Sequence, residues 1–141
     1  MDHVVYVDTK THELEKILNG SKTMIIRGAM GRKLPHGRVS EGDNLYFIQN
    51  NGEGKIKARA KVKSVFNSEK LTPEKSADLV KANQDKLRLD EKAYKRFIAK
   101  RYIILVEIID VTEVTPFTID RSEYGNMDDW LPVGDINSIK K

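Results

Sequence analysis

Two groups of residues in this 141-residue chain have the types and spacing to do chemistry. In the first, Lys55, Lys57, Arg59, Lys61 and Lys63 alternate with Ile56, Ala58, Ala60 and Val62. Side chains on a strand change face at every residue, so this spacing sets five cations on one side and apolar residues on the other. Such a row can hold phosphates, which gives affinity without base choice. It is equally what a half-exposed strand shows to water, and lysine there discourages edge pairing. The second group is Gly20-Ser21-Lys22-Thr23 with Arg27 five residues beyond the lysine. Gly20 ends a helix, and the turn that follows should leave Lys22 at a strand edge with its ammonium in water. Five is an odd number, so a regular strand would send Lys22 and Arg27 to opposite faces, and Arg27 could pair with a carboxylate such as Asp43. Arg32, Lys33, His36 and Arg38 sit in a glycine-containing loop over 28–42, a third source of phosphate contacts.

Other chemistries find no grouping. With no cysteine there is no disulfide, no thiolate metal site and no cysteine nucleophile. His3, His12 and His36 share no ligand spacing, and Asp128 and Asp129 are neighbours in a tail without a histidine. No P-loop or dinucleotide fingerprint occurs. The expectation is therefore no metal, no cofactor and no assigned catalytic residue.

The elements that must carry these residues follow from periodicity. Residues 3–7 read as a short buried strand. Asp8 or Thr9 is positioned to cap a helix with Leu14, Ile17 and Leu18 on one face, stopped by Asn19-Gly20. Residues 23–27 are rich in strand formers, 44–49 and 55–66 form a hairpin around 50–54, and 103–114 is a last long strand. Thr72-Pro73 opens a helix with cap and first-turn proline in the favoured order, and another begins after Asp90. The tail from 116 to 141 shows little periodic signal. Strands outnumber helices and tight turns join most of them. This predicts an α+β domain spanning 1–141, built on a curved, mainly antiparallel sheet or small β-barrel with inserted helices.

Charge is unevenly spread. Nine Lys/Arg face three Asp/Glu over 27–63, and ten face five over 70–101, whereas over 102–139 Arg121 alone faces eight acids. One positive surface suited to a polyanion is the natural reading. The longest apolar run, 102–106, is far below the ~20 residues of a membrane helix, and the first residues lack a basic start and an apolar core. A reducing, cytoplasmic setting without membrane contact is expected.

The segment 17–27, with Gly20, Lys22 and Arg27, resembles the signature of the ASCH branch of the PUA-like superfamily. There a helix ends at Gly, a Gly-x-Lys turn follows, and a strand carries Arg five residues after the Lys. The Gly42-Asp43 turn opening a strand is a second shared feature, and the order of elements agrees from Val4 to about Val114. The resemblance implies a PUA-like fold and an RNA-binding module, with a cleft by the Gly-x-Lys turn that admits a nucleotide or modified base. Such a cleft needs aromatics beside its polar groups. Tyr124 and Trp130, in the polar tail, are the candidates, while Tyr46, Phe47 and Tyr94 are assigned to packing.

Some ASCH proteins resemble amidohydrolases that deacylate a modified cytidine, using the motif lysine to activate a threonine three residues later. That position here is Ile25, and Thr23 lies in the other phase of the strand, so the nucleophile is missing. The reading is an RNA-binding module using Lys22, Thr23, Arg27, Arg32, Lys33, Arg38, Lys55, Lys57, Arg59, Lys61, Tyr124 and Trp130. A nucleoside-processing amidohydrolase is the alternative, and a small-ligand sensor or protein-interaction domain the third.

Overall fold

The computed structural model describes residues 1–125 and 127–141. Its strands are β1 (Asp2–Val7), β2 (Met24–Ala29), β3 (Asn44–Gln49), β4 (Lys55–Asn67), β5 (Tyr102–Thr118) and β6 (Trp130–Gly134). Its helices are α1 (Glu13–Leu18), α2 (Pro73–Ala82), α3 (Gln84–Leu87) and α4 (Glu91–Phe97), with a 3₁₀ turn at Ile136–Ser138. The strands form one sheet in the order β2-β5-β4-β3-β1-β6, which curls into a half-barrel and stays open at β2 and β6. β1 and β3 run parallel, and every other pairing is antiparallel. The parallel pair exists because α1, β2 and the 28–42 loop supply the long crossover that parallel strands require.

Alternation along each strand sorts the core into faces. Val5, Val7, Ile25, Phe47, Ala58, Ala60, Val62, Ile104 and Val106 point into the concavity, where Leu14 and Ile17 of α1 fill the space between them. The opposite phase of β2 and β5 (Met24, Ile26, Ile103, Leu105) packs outward against Val80, Leu87 and Phe97 of the three later helices. β5 is therefore buried on both sides over Ile103–Val106, which is why that stretch reads as continuously apolar. A third cluster on the outer face joins Val4, Ile48 and Ile56 to Ile119, Leu131 and Ile136 of the tail.

Local signals hold at several ends and fail at others. Thr72 accepts from Lys75 N at 3.2 Å and Asp90 from Ala93 N at 2.8 Å, so both predicted caps form. Gly20 takes φ +81°, as the stop of α1 requires. Asp8 and Thr9 do not cap α1. The residue before its first turn is His12, itself left-handed, and the link runs backwards, Asp8 N donating to Glu13 Oε1 at 2.9 Å. β5 is longer than predicted and bends at bulges against β4. β6 carries no alternation of its own because it is a five-residue edge strand interrupted by Pro132.

A buried polar chain holds that edge. Trp130 Nε1 donates to His3 Nδ1 at 3.1 Å, which leaves the proton on Nε2, 2.8 Å from Asp43 Oδ2. His3 is fully buried, and burial pulls its pKa below 6.5 despite the neighbouring carboxylate. Burial pushes Asp43 upward, but hydrogen bonds from His3 and Ser40 N outweigh it and hold the pKa below 3.8. Ring contact at 5.9 Å between His3 and Trp130 completes the joint between the tail and β1.

Candidate functional site

The Gly-x-Lys turn folds inward. Lys22 follows α1 and precedes β2, and its peptide N–H bonds to Lys16 O at 3.0 Å, so the turn packs under the helix end. Its side chain is 2% exposed, with Nζ 2.6 Å from Leu87 O of α3 and 3.4 Å from Glu13 Oε2 of α1. Burial lowers the lysine pKa, opposed by the Glu13 carboxylate. This corrects the expected solvent-exposed Lys22: the ammonium bridges α1 to α3 through the end of the half-barrel. Thr23 is half-buried, and its backbone ties α3 to β5 through Thr23 N to Lys86 O and Ile108 N to Thr23 O, each 2.9 Å.

Arg27 points into the concavity, in phase with the buried Ile25. Its Nη1 donates to Ile26 O at 2.8 Å and Nη2 to Tyr6 O at 2.6 Å. Nε lies 3.1 Å from Asp129 Oδ2, an ion-pair distance, yet among the described residues no acceptor lies in line with its N–H. The guanidinium sits 5.6 Å from the Trp130 ring centroid. The partner is therefore Asp129 and not Asp43, whose carboxylate is taken by His3 and the amino terminus. Trp130, expected beside a ligand, is 1% exposed and belongs to the core; Tyr124 is half-buried against the outer cluster.

The basic loop closes the mouth of the concavity above Arg27. Arg32 lies over the Tyr102 ring at 5.5 Å and 3.8 Å from Glu69. His36 Nε2 donates to Ser68 O at 2.8 Å, and its ring meets Tyr102 edge-on at 5.8 Å. The space left among Arg27, Lys33, Pro35, His36, Tyr102 and Ile104 is about 10 Å³, room for a water and not for a base. Arg38 is exposed on the same loop.

The alternating strand keeps its predicted phase from Ala58 onward, but a bulge between Ile56 and Ala58 turns Ile56 to the outer cluster, so the alternation does not run unbroken from Lys55. Ile56, Ala58, Ala60 and Val62 are buried, while Lys55, Arg59, Lys61 and Lys63 are exposed and Lys57 half-exposed. Lys57 pairs with Glu53 at 3.0 Å and Lys63 approaches Glu107 at 3.9 Å. The cross-strand neighbours of Arg59 are Tyr46 and Thr112, and those of Lys61 are Asn44 and Ile109. None of the four is charged, although Asp110 and Glu113 stand next to Ile109 and Thr112 along β5.

The predicted site residues thus fall into separate places. Lys22 and Thr23 lie under α1 and α3, Arg27 and Lys33 line the mouth with Arg32 and Arg38 on the loop beside it, and the exposed cations of β4 lie on the convex face, while Trp130 belongs to the core and Tyr124 to the outer cluster. Tyr102 is a contact residue that sequence reasoning missed, and Tyr46, assigned to packing, keeps part of its surface exposed. Tyr46 had a usable signal, since pairing 44–49 with 55–66 in the right register places it opposite Arg59. Among the described residues no three His, Asp or Glu side chains gather as a metal site, and no helix is long and apolar enough to cross a membrane.

No protein-family model and no curated protein sequence matches the chain. Solved structures do match. The ASCH protein of Zymomonas mobilis superposes with a TM-score of 0.68 at 12% identity, covering 92% of this chain and 85% of that one. A point mutant of the same protein gives 0.67 with the same identity and coverage. A hypothetical protein, PH0355, gives 0.52 at 15% identity over 81% of this chain and 100% of that one. Identities this low speak of backbone architecture alone, and that architecture, a half-barrel sheet with α1 inside and helices packed outside, is the fold this chain shares with the ASCH protein of Zymomonas mobilis.

Proposed function

We propose that this protein is a cytoplasmic RNA-binding module of the ASCH, PUA-like type. The observation that carries the reading is the row of cations on one face of β4, whose central members Arg59 and Lys61 have uncharged neighbours on both sides. A solvated strand gains little from leaving like charges about 6–7 Å apart, the span of two strand residues, with no opposite charge directly across from them. A polyanion supplies those counter-charges and releases its own condensed ions on binding. RNA as the polyanion is supported by the ASCH resemblance of the 17–27 segment together with the fold. Arg32, Lys33 and Arg38, all exposed on the loop, extend the electropositive surface toward the mouth.

Deacylation of a modified nucleoside is the competing reading, and the geometry supports it less. Ile25 is fully buried in the core, and the Lys22 ammonium is occupied by Leu87 O and Glu13. The test of the binding reading is the salt dependence of RNA affinity. Replacing Lys57, Arg59 and Lys61 together by Gln should flatten the slope of log affinity against log salt by roughly 0.7 for each phosphate that is no longer neutralised. An unchanged slope would mean the row is only solvated surface.

A further inference from the structure

We infer that the convex face around Tyr46 is a stacking platform for single-stranded RNA, an assignment that rests on the RNA-binding reading and localises it. Tyr46 stands on β3 directly across from Arg59, and Tyr6 lies in the same phase on the adjoining β1, whose Val4 pairs with Tyr46. Phe117, near the end of β5, meets the Tyr46 ring at 6.4 Å and 70°. All three residues are half-buried and packed against the outer cluster with Ile48 and Ile56, and among the described residues Tyr46 is the one of the three with no cation over its ring. Cations interleave with them, Arg121 lying over Tyr6 at 5.2 Å and Lys140 over Phe117 at 4.7 Å.

Two requirements of single-strand recognition meet here. An unpaired strand exposes base faces, which stack on aromatic rings whatever the base, and its phosphates follow alongside within reach of cations. Tyr46 supplies a ring already held in place by packing, so little side-chain freedom is lost on binding. Arg59 and Lys61 supply charge on the adjoining strand, the first directly across from that ring and the second opposite Asn44. A duplex satisfies only the second requirement, because its bases are stacked on each other. The face therefore favours single strands over duplexes.

The experiment measures fluorescence anisotropy of a labelled single-stranded uridine-rich RNA of about ten nucleotides, and of an RNA duplex of equal length. The proteins are the full chain, Tyr46→Leu, Tyr46→Phe and the double variant Arg59→Gln/Lys61→Gln. Tyr46→Leu keeps the apolar footing and should weaken single-strand binding about 5- to 150-fold, the range that base–aromatic stacking spans, with duplex affinity and salt slope unchanged. Tyr46→Phe should stay within about twofold of the original. The double cation variant should weaken both ligands and flatten both slopes. An abasic strand of the same length, which needs no protein variant, should bind the unmodified protein as poorly as the full strand binds Tyr46→Leu. Equal affinity for abasic and full strands, or full single-strand affinity in a folded Tyr46→Leu, would overturn the platform while leaving the RNA reading standing. Failure of the unmodified protein to bind either RNA would sink both.

Discussion

Lys22→Ala should destabilise the protein by about 2–4 kcal/mol, although the residue sits in a turn of a charged chain. Removing one member of a buried ion pair leaves an uncompensated charge and ordinarily costs about 3–5 kcal/mol. Here Glu13 keeps its bond from Asp8 N at 2.9 Å and is 15% exposed, which moves the expectation to the lower part of that range. Loss of the Lys22 donor to Leu87 O is included in the figure, since an unsatisfied buried carbonyl carries a penalty of its own. For a domain of this size the change corresponds to a fall in Tm of roughly 8–16 °C. Urea unfolding of Lys22→Ala, Glu13→Gln and the Lys22→Met/Glu13→Gln double variant separates the pair from its surroundings. The double variant should recover to within about 1–2 kcal/mol of the original, because no buried charge then lacks its partner. A pH series adds an independent reading. The folded-state pKa of Lys22 is lowered beneath 10.5, so just below that pH the unfolded chain holds the extra proton. Stability of the original protein should therefore rise with pH toward 10.5, and the rise should be missing when Lys22 is Met. A Lys22→Ala protein within about 0.5 kcal/mol of the original, as for an ordinary surface site, would refute the buried-bridge account.

The buried chain at β6 gives an acid-side counterpart. His3 has its folded pKa below 6.5, so unfolding takes up a proton as pH drops from 6.5, and stability should fall across that window. Asp43, lowered beneath 3.8, contributes only once pH falls into that range. Chemical denaturation from about pH 7 to 5 should show the decline in the original protein and a flatter profile in His3→Gln; identical slopes would mean His3 does not titrate with folding. A second expectation concerns chemistry: with Ile25 fully buried where a threonine nucleophile would stand, acetylated cytidine should not be turned over at a useful rate. Rapid hydrolysis that disappears in Lys22→Met would show that another nucleophile, such as water, is activated there.

Much of the architecture was legible in the chain because it depends on short-range rules. The two-residue period specified which side of β4 meets water from Ala58 to Lys63, whereas the bulge that turns Ile56 to the outer cluster left no mark in the spacing. Thr72-Pro73 and Asp90 announced helix starts because a cap is satisfied within about four residues. The Gly20–Arg27 pattern pointed to the ASCH fold for the same reason, being a helix stop, turn and strand in direct succession. What local spacing left open were matters decided by partners distant along the chain. Lys22 looked exposed because its turn is polar, and it is buried only because Leu87, 65 residues away, and Glu13 close over it. Arg27 looked set to pair with a carboxylate such as Asp43, and pairing of β6 with β1 brought Asp129 instead. Trp130 sat in a segment without periodicity, yet the hydrogen bond to His3, 127 residues earlier, drew it into the core. Local spacing decides faces and ends, whereas burial and partnership depend on which segments the sheet order makes neighbours, and that order is set by packing the whole chain at once.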